Sequence, residues 1–269
     1  MYHESLIPVK RISKVAIYAR HGIEYRNGKI KSPIYGWVAP LAVKGNKKIG
    51  KVYHFSTLPT NDEFIVEING KVEKVQGTCN GKCDNCYACT GNYRFSSVRR
   101  ALAIRTILAR LFPDFVKSAL MAQIEADKIS LFRIHASGDF FSAEYVEMWK
   151  EIASAYPACK FWTYTKNKKA ESAFDSIPNA NIVRSILPCG GFNFGKAGEM
   201  LKAYDELKTA GESVYICKCG IDKNQHCDTC KGCSSHKYVL FLLHGDPTYK
   251  PESDPDFPKF VAVVSAQAD

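Results

Sequence analysis

Short apolar runs of strand length open the chain, at Val15 to Tyr18, Lys51 to Phe55 and Phe64 to Ile68, with no long helical repeat between them. Asn69-Gly70 separates Glu-Phe-Ile-Val-Glu-Ile from Lys-Val-Glu-Lys-Val. That is the sequence form of a two-residue type I′ hairpin, because both central residues must take positive φ. From Ser96 the period lengthens: Val98, Leu102, Leu108 and Leu111 recur at helical spacing, with Ser96 or Ser97 available as cap. Pro113 breaks that run, and a second helix is expected over Phe115 to Ala126. Strands at Ile129 to His135, Lys160 to Tyr164, Asn181 to Leu187, Val214 to Ile216 and Tyr238 to Leu243 then alternate with helices. Those helices are expected at Ala143 to Tyr156, Lys168 to Asp175 and Ala197 to Thr209.

Such alternation implies a mostly parallel sheet covered by its crossover helices. The expected fold class is α/β, as a partial (β/α) barrel or a doubly wound sheet, and either one gathers ligands at the carboxyl ends of its strands. Three stretches follow: a β-rich segment over 1–78 leading into the core, an α/β core over 79–245, and a tail over 246–269. The Pro-rich part of the tail, Asp246 to Pro258, reads as extended surface chain ending in a short strand at Phe260 to Val264.

At 269 residues and 46% hydrophobic, the chain can bury one substantial core. No apolar stretch approaches the roughly 20 residues that span a bilayer, and the opening Met-Tyr-His-Glu-Ser-Leu-Ile-Pro lacks a signal peptide's layout. A cytoplasmic protein without a membrane partner is expected. The net charge of +10 is one-sided, since the first 110 residues sum to +12 and the remaining 159 to −2. A basic N-terminal half points to a polyanionic partner, nucleic acid above all; a solvated surface serving solubility is the alternative.

Nine of the eleven cysteines fall into two tight clusters, over 79–89 and 217–233, which favours metal over disulfides. Cys159 and Cys189 sit beside expected strands as small buried hydrophobes. The first cluster, Cys79, Cys83 and Cys86 in C-x3-C-x2-C spacing, lies on a loop between strand and helix. Three thiolates there can hold an iron–sulfur cluster with one iron open, the favoured reading for a loop so placed; with Cys89 they can alternatively make a closed tetrahedral zinc site. The second cluster, Cys217, Cys219, Cys227, Cys230 and Cys233, with His226 and His236 nearby, forms a Cys-rich insertion near the C-terminus. Its C-x2-C-x2-C run resembles a ferredoxin-type set, and zinc suits it nearly as well.

The expected strand ending Arg-Ile-His135-Ala-Ser137-Gly138-Asp139 puts His135, Ser137 and Asp139 on one face by period-two geometry, which suggests a ligand site. Gly190-Gly-Phe-Asn-Phe-Gly195-Lys196 matches a phosphate-loop spacing, but Ala197 stands where a Ser or Thr would hold Mg²⁺, and a Gly-rich turn is the better reading. Arg94, Arg99, Arg100, Arg105 and Arg110 stud the helix after the first cysteine loop, as a phosphate-contacting ridge or as ordinary solubilising charge.

C-x3-C-x2-C between strand and helix of a partial barrel, followed by a strand ending Ser-Gly-Asp, resembles the radical S-adenosylmethionine (SAM) superfamily. More closely, Cys83-x-x-Cys86-Tyr-Ala, Arg133-Ile-His-x-Ser-Gly-Asp139 and the Tyr164-Thr-Lys strand are similar to the phage and mobile-element family called gene product 88. The first resemblance implies a radical-SAM-like partial barrel and a [4Fe-4S] cluster on Cys79, Cys83 and Cys86. It implies SAM near Ser137, Gly138, Asp139 and Tyr87, with Asp139 and His135 as candidate catalytic groups. Asn85 stands where that superfamily carries an aromatic residue before the third cysteine. A second cluster or zinc would occupy Cys217, Cys219, Cys227, Cys230 and Cys233. Two functions are therefore expected in competition: reductive SAM cleavage acting on a nucleic acid or nucleotide in a phage-infected host cell, or a non-enzymatic, zinc-stabilised nucleic-acid-binding protein.

Overall fold

The structure, a computed structural model, describes residues 12–45, 50–81, 86–184, 192–194, 196–218, 222, 225–230, 232–242 and 253–267. Cys83, Asn85, Cys189 and Cys219 lie outside the described residues, as do Gly190, Gly191 and Gly195 of the Gly190–Lys196 turn.

The first helix, α1 (Lys14–Arg20), is capped by the Ser13 side chain, which accepts from the Ala16 amide at 3.2 Å. It contains the Val15 to Tyr18 run that the sequence suggests as a strand. Four residues fit a strand or one helical turn equally well, and the Ser13 cap together with the ion pair from Lys14 to Asp127 selects the turn. A small antiparallel sheet of β1 (Tyr25–Arg26), β2 (Lys29–Ser32) and β3 (Gly36–Val38) follows, then β4 (Val43–Lys44) and β5 (Tyr53–His54). The expected hairpin is present as β6 (Glu63–Ile68) and β7 (Lys71–Gln76), with Asn69 at φ 51° and Gly70 at φ 78° as type I′ requires.

Helix α2 (Ser96–Leu111) leads into α3 (Pro113–Ala126), where Pro113 starts the second helix as well as ending the first. Then come β8 (Leu131–Arg133), α4 (Ala143–Ala155), β9 (Lys160–Thr165), α5 (Lys168–Ala173) and β10 (Ala180–Arg184). The last part holds β11 (Phe192–Phe194), α6 (Ala197–Thr209), β12 (Val214–Ile216), α7 (Gly232–Ser235), β13 (Tyr238–Leu242) and α8 (Phe257–Ser265). Helix α8 replaces the strand expected at Phe260 to Val264, because Phe260 and Val264, four residues apart, share the helix face buried against α6.

The main sheet runs β10-β9-β8-β5-β4, with β5, β8, β9 and β10 parallel neighbours in chain order and β4 antiparallel at the edge. A doubly wound sheet reverses its order at a switch point; this one does not. Among the described residues the sheet does not close, and β11, β13 and β12 make a separate parallel sheet. The N-terminal segment is part of the core: β5 is an inner strand, and Tyr18, Ile30, Leu41 and Phe55 pack in one cluster with Phe132, Trp149 and Phe161.

Register decides which side chains share a face. Phe132 lies opposite Phe161, and both pack beneath the helices. His54 lies opposite Arg133, and Arg133 opposite Trp162, so these three occupy the other face. That second face holds Arg133 between Tyr87 and Tyr164.

Candidate functional site

The first cysteine loop is built onto the carboxyl end of the sheet through its leading residue, Thr78. The Thr78 hydroxyl donates to the Leu58 carbonyl at 3.0 Å, accepts from the Asp139 amide at 3.1 Å and meets the Thr57 hydroxyl at 2.8 Å. Cys79 follows with its amide on the Thr60 carbonyl at 2.8 Å. At the far end of the loop, Cys86 precedes a 3₁₀ turn over Tyr87–Cys89, which leaves Cys89 exposed. The segment carrying Cys79 and the Ser137-Gly138-Asp139 turn are thus tied together by side chains that the sequence did not single out, Thr57 and Thr78.

Gly138 shows why that turn needs glycine. Its φ is 85°, and a Cβ there would stand 1.9 Å from the Thr57 hydroxyl oxygen and 2.6 Å from that of Thr78. Strand β8 ends at Arg133, so period two does not extend over His135, Ser137 and Asp139, and the three side chains part company. Ser137 donates to the Thr57 carbonyl at 2.8 Å. Asp139 accepts from the Phe140 amide at 2.8 Å, the Thr165 hydroxyl at 2.6 Å and the Lys166 amide at 3.0 Å, stitching the ends of β8 and β9. Burial raises the Asp139 pKa, and these three bonds oppose the rise.

His135 turns to the helix side instead, among Phe140, Tyr145 and Trp149, with Nε2 at 3.1 Å from the Tyr145 hydroxyl. Burial and the Arg133 charge push its pKa down to about 3, so the imidazole is neutral in ordinary buffers, and its Nδ1 is buried with no hydrogen-bond partner. The expected shared face of His135, Ser137 and Asp139 is therefore corrected: His135 belongs to the helix-side core, and Ser137 and Asp139 bind backbone and neighbouring strand.

The second cysteine set does converge. Cys217, Cys227, Cys230 and Cys233 line one enclosed cavity of about 20 Å³, walled otherwise by Leu131, Trp162, Tyr215 and Ser234. Two phenols address the sulfurs: Tyr164 donates to Cys233 Sγ at 2.7 Å, and the Tyr215 hydroxyl lies 3.5 Å from Cys230 Sγ. Asn181 of β10 donates to the carbonyls of Cys233 and His236, each at 2.8 Å, which fastens the cysteine segment to the main sheet. Gly232 lets Tyr215 approach, since a Cβ there would sit 2.3 Å from the ring. Four thiols around one small space, with hydroxyl donors behind them and the His226 Nδ1 atom buried without a partner, suit a thiolate-held metal. Among the described residues, no group of three or more His, Cys, Asp or Glu side chains is arranged to hold an ion as placed. Cys159, in contrast, is buried beside β9, where burial pushes its thiol up to about 12.

Arg133 stands between the two sets. Its Nη2 donates to the Tyr87 hydroxyl at 3.3 Å, its Nε donates to the His135 carbonyl at 2.9 Å, and its guanidinium lies 5.1 Å from the centre of the Tyr164 ring. One side chain thereby touches the first loop through Tyr87 and the second through the Tyr164–Cys233 bond. Arg105 of α2, expected on a solvent-facing ridge, is 8% exposed and turns inward beside the buried Thr106, while Arg99 and Arg100 do face solvent. Burial pushes the Arg105 pKa down to about 10, which leaves it charged at neutral pH. The burial of His54 and the charges of Arg133 and Arg105 push the His54 imidazole down to about 4. Arg133, Arg105 and His54 were not separable in the sequence, since an arginine in a helix reads as surface until packing shows otherwise.

A family model described as gene product 88 matches residues 41–187, more than half of the chain. Over 65 residues the chain is 40% identical to the gene 88 protein of Mycobacterium phage D29, a stretch amounting to 24% of this chain and 25% of that one. The gene 88 protein of Mycobacterium phage L5 is likewise 40% identical over 65 residues, 26% of its length. The chain thus spans about a quarter of the length of the curated relatives it matches. No solved structure matches it. No described helix is long and apolar enough to cross a membrane.

Proposed function

The chain belongs to the gene product 88 family, and from that premise we propose that it is an iron–sulfur protein of radical SAM type, acting on a nucleic acid or nucleotide in the cytoplasm of a phage host. The observation that carries this reading is the bond between Thr78, next to Cys79, and the amide of Asp139. It places the cysteine loop over the carboxyl end of β8, where parallel α/β sheets collect their ligands. Cys79, Cys83 and Cys86 would hold the [4Fe-4S] cluster, which when bound supplies the electron for reductive cleavage of SAM. Gly138 packs against Thr57 and Thr78 at the start of that loop, with Ser137 and Asp139 holding the strand ends in place and Tyr87 joining the loop to Arg133. Exposed Arg94, Arg99 and Arg100 next to the loop provide cationic surface for a polyanion.

At the second set, an enclosed cavity of about 20 Å³ favours a single tetrathiolate-held ion, zinc being the natural occupant. That observation also favours a second reading, a nucleic-acid-binding protein in which zinc staples both cysteine segments and no SAM is cleaved. Anaerobic purification followed by incubation with SAM and a reductant separates the two. The enzyme reading expects brown protein and release of 5′-deoxyadenosine, abolished by Cys86→Ala. Colourless protein holding zinc at both sets would remove it.

A further inference from the structure

Beyond the first cysteine loop the chain changes character. Five of its ten arginines fall between Arg94 and Arg110, and from Asn85 to Pro113 the sequence holds no Lys, Asp or Glu. Two of the five are engaged in the fold: Arg105 is buried, and Arg110 donates to the Gly77 carbonyl at 2.9 Å with its guanidinium over the Phe141 ring. Arg94, Arg99 and Arg100 face solvent. Beside them two aromatic side chains stand in the open, Tyr87 at 50% exposure and Phe95 at 61%. Backbone bonds join these groups into one surface. The turn over Tyr87–Cys89 runs into a second 3₁₀ turn, Gly91–Arg94, as the amides of Thr90, Tyr93 and Phe95 donate to the carbonyls of Tyr87, Thr90 and Asn92 at 3.1 to 3.2 Å. The Arg99 amide donates to the Phe95 carbonyl at 3.0 Å, so Phe95 and Arg99 lie one helical turn apart on the same side of α2. The Tyr87 ring is fixed in place as well, its hydroxyl accepting from Arg133 at 3.3 Å and its ring meeting that of Tyr93 edge-on at 5.7 Å.

We propose that this surface binds single-stranded nucleic acid, with Tyr87 and Phe95 stacking on bases and Arg94, Arg99 and Arg100 on phosphates. The combination selects the occupant. Cations alone would suit any polyanion, but exposed, positioned rings need a flat apolar partner, and only an unpaired strand offers base faces together with phosphates. A duplex keeps its base faces stacked inside and presents phosphates and groove edges instead. Charge serving solubility alone is normally mixed in sign, whereas this stretch is arginine without a single carboxylate. Guanidinium groups also lie flat on aromatic faces and grip phosphate with two N–H groups at once, which lysine cannot do. The inference deepens the proposed function: it rests on the nucleic-acid part of that reading and holds whichever metal the cysteines bind.

The test is fluorescence anisotropy of the full chain, with metal as purified, against labelled oligothymidylate and oligouridylate of about 12 nucleotides and a duplex of the same length. At least one of the two strands should bind about tenfold or more tighter than the duplex. Phe95→Ala should weaken strand binding about tenfold while leaving duplex binding and metal content unchanged, and Phe95→Tyr, which keeps a ring, should bind as the wild type does. Tyr87→Ala provides the same reading at the second ring. Arg99→Gln should lower the slope of log affinity against log salt by about 0.7, the share of one phosphate contact on a single strand. Lys168→Met, on an exposed surface of α5, should change nothing. Duplex bound as tightly as either strand, or strand affinity unaltered in both Phe95→Ala and Tyr87→Ala, overturns this proposal and leaves the polyanion reading standing. Absence of binding to strand and duplex alike removes both. Capture by vesicles of anionic phospholipid without affinity for the strands would also overturn it, in favour of a membrane surface.

Discussion

The two cysteine sets sit on the same side of one sheet, yet their surroundings differ in kind. Cys86 and Cys89 flank a single 3₁₀ turn, Cys89 faces solvent, and the loop is anchored through its neighbours Thr78 and Tyr87. Cys217, Cys227, Cys230 and Cys233 instead wall a closed cavity, with Tyr164 and Tyr215 reaching their sulfurs and Asn181 fastening their backbone. Closed sites with supporting donors are the form structural metals take, and sites with an open position are the form reactive ones take. Under the proposed function, the second set would serve stability and the first would serve chemistry.

Substitution at the second set should therefore be the more damaging. Cys230→Ala should cost about 4 kcal/mol or more of stability, through loss of metal, whereas Cys86→Ala should cost under about 1 kcal/mol while removing the colour and any SAM cleavage. Denaturant titrations beside metal analysis read both, and equal costs would erase the contrast.

Acid probes the first set's end of the sheet. Burial and nearby arginine charge push His135 down to about 3 and His54 down to about 4 in the folded protein, against 6.5 unfolded, so the unfolded chain binds more protons between those values. Stability is full above pH 6.5 and falls as pH drops toward 4. The slope approaches about 1.4 kcal/mol per pH unit for each imidazole, and the raised Asp139 pKa opposes it just above pH 3.8, where the folded carboxyl takes up its proton before the unfolded one does. Urea titrations across this window should show the slope shrink in His54→Gln. An unchanged slope would mean that His54 is not held neutral by its surroundings.

Two gentler changes bear on the closed set alone. Gly232→Ala brings a methyl against the Tyr215 ring and should cost about 1–3 kcal/mol, loosening metal at the second set but not the first. Tyr164→Phe deletes the donor to Cys233 and should weaken metal retention about 10- to 100-fold in a chelator competition. Least of all, Cys89→Ser should shift stability by no more than about 0.5 kcal/mol and leave the first set's metal in place, as befits an exposed thiol outside the ligand set. Loss of that metal would show that Cys89 closes the site.

Much of this was legible in the sequence. The hairpin at Asn69-Gly70 was, because its turn permits few alternatives, and so were α2, α3, α4 and α6, whose apolar spacing runs long enough to exclude a strand. Val15 to Tyr18 and Phe260 to Val264 were misread because runs of four or five residues carry no period, and caps and partners decide them. Both cysteine sets stood out by spacing. Arg133 did not, and Arg105 read as one of a row of helix-surface arginines, since burial and the His54–Arg133 register are things a linear pattern does not record. The face assigned to His135, Ser137 and Asp139 failed because strand β8 stops at Arg133, and the positive φ of Gly138 then turns the chain.

Metal analysis of anaerobically purified protein, wild type beside Cys86→Ala, tests the division of labour most directly. The account predicts about four irons per chain that disappear in Cys86→Ala, with a separate metal at the second set retained in both. Iron-free protein carrying only zinc, with the same content in the variant, would contradict it.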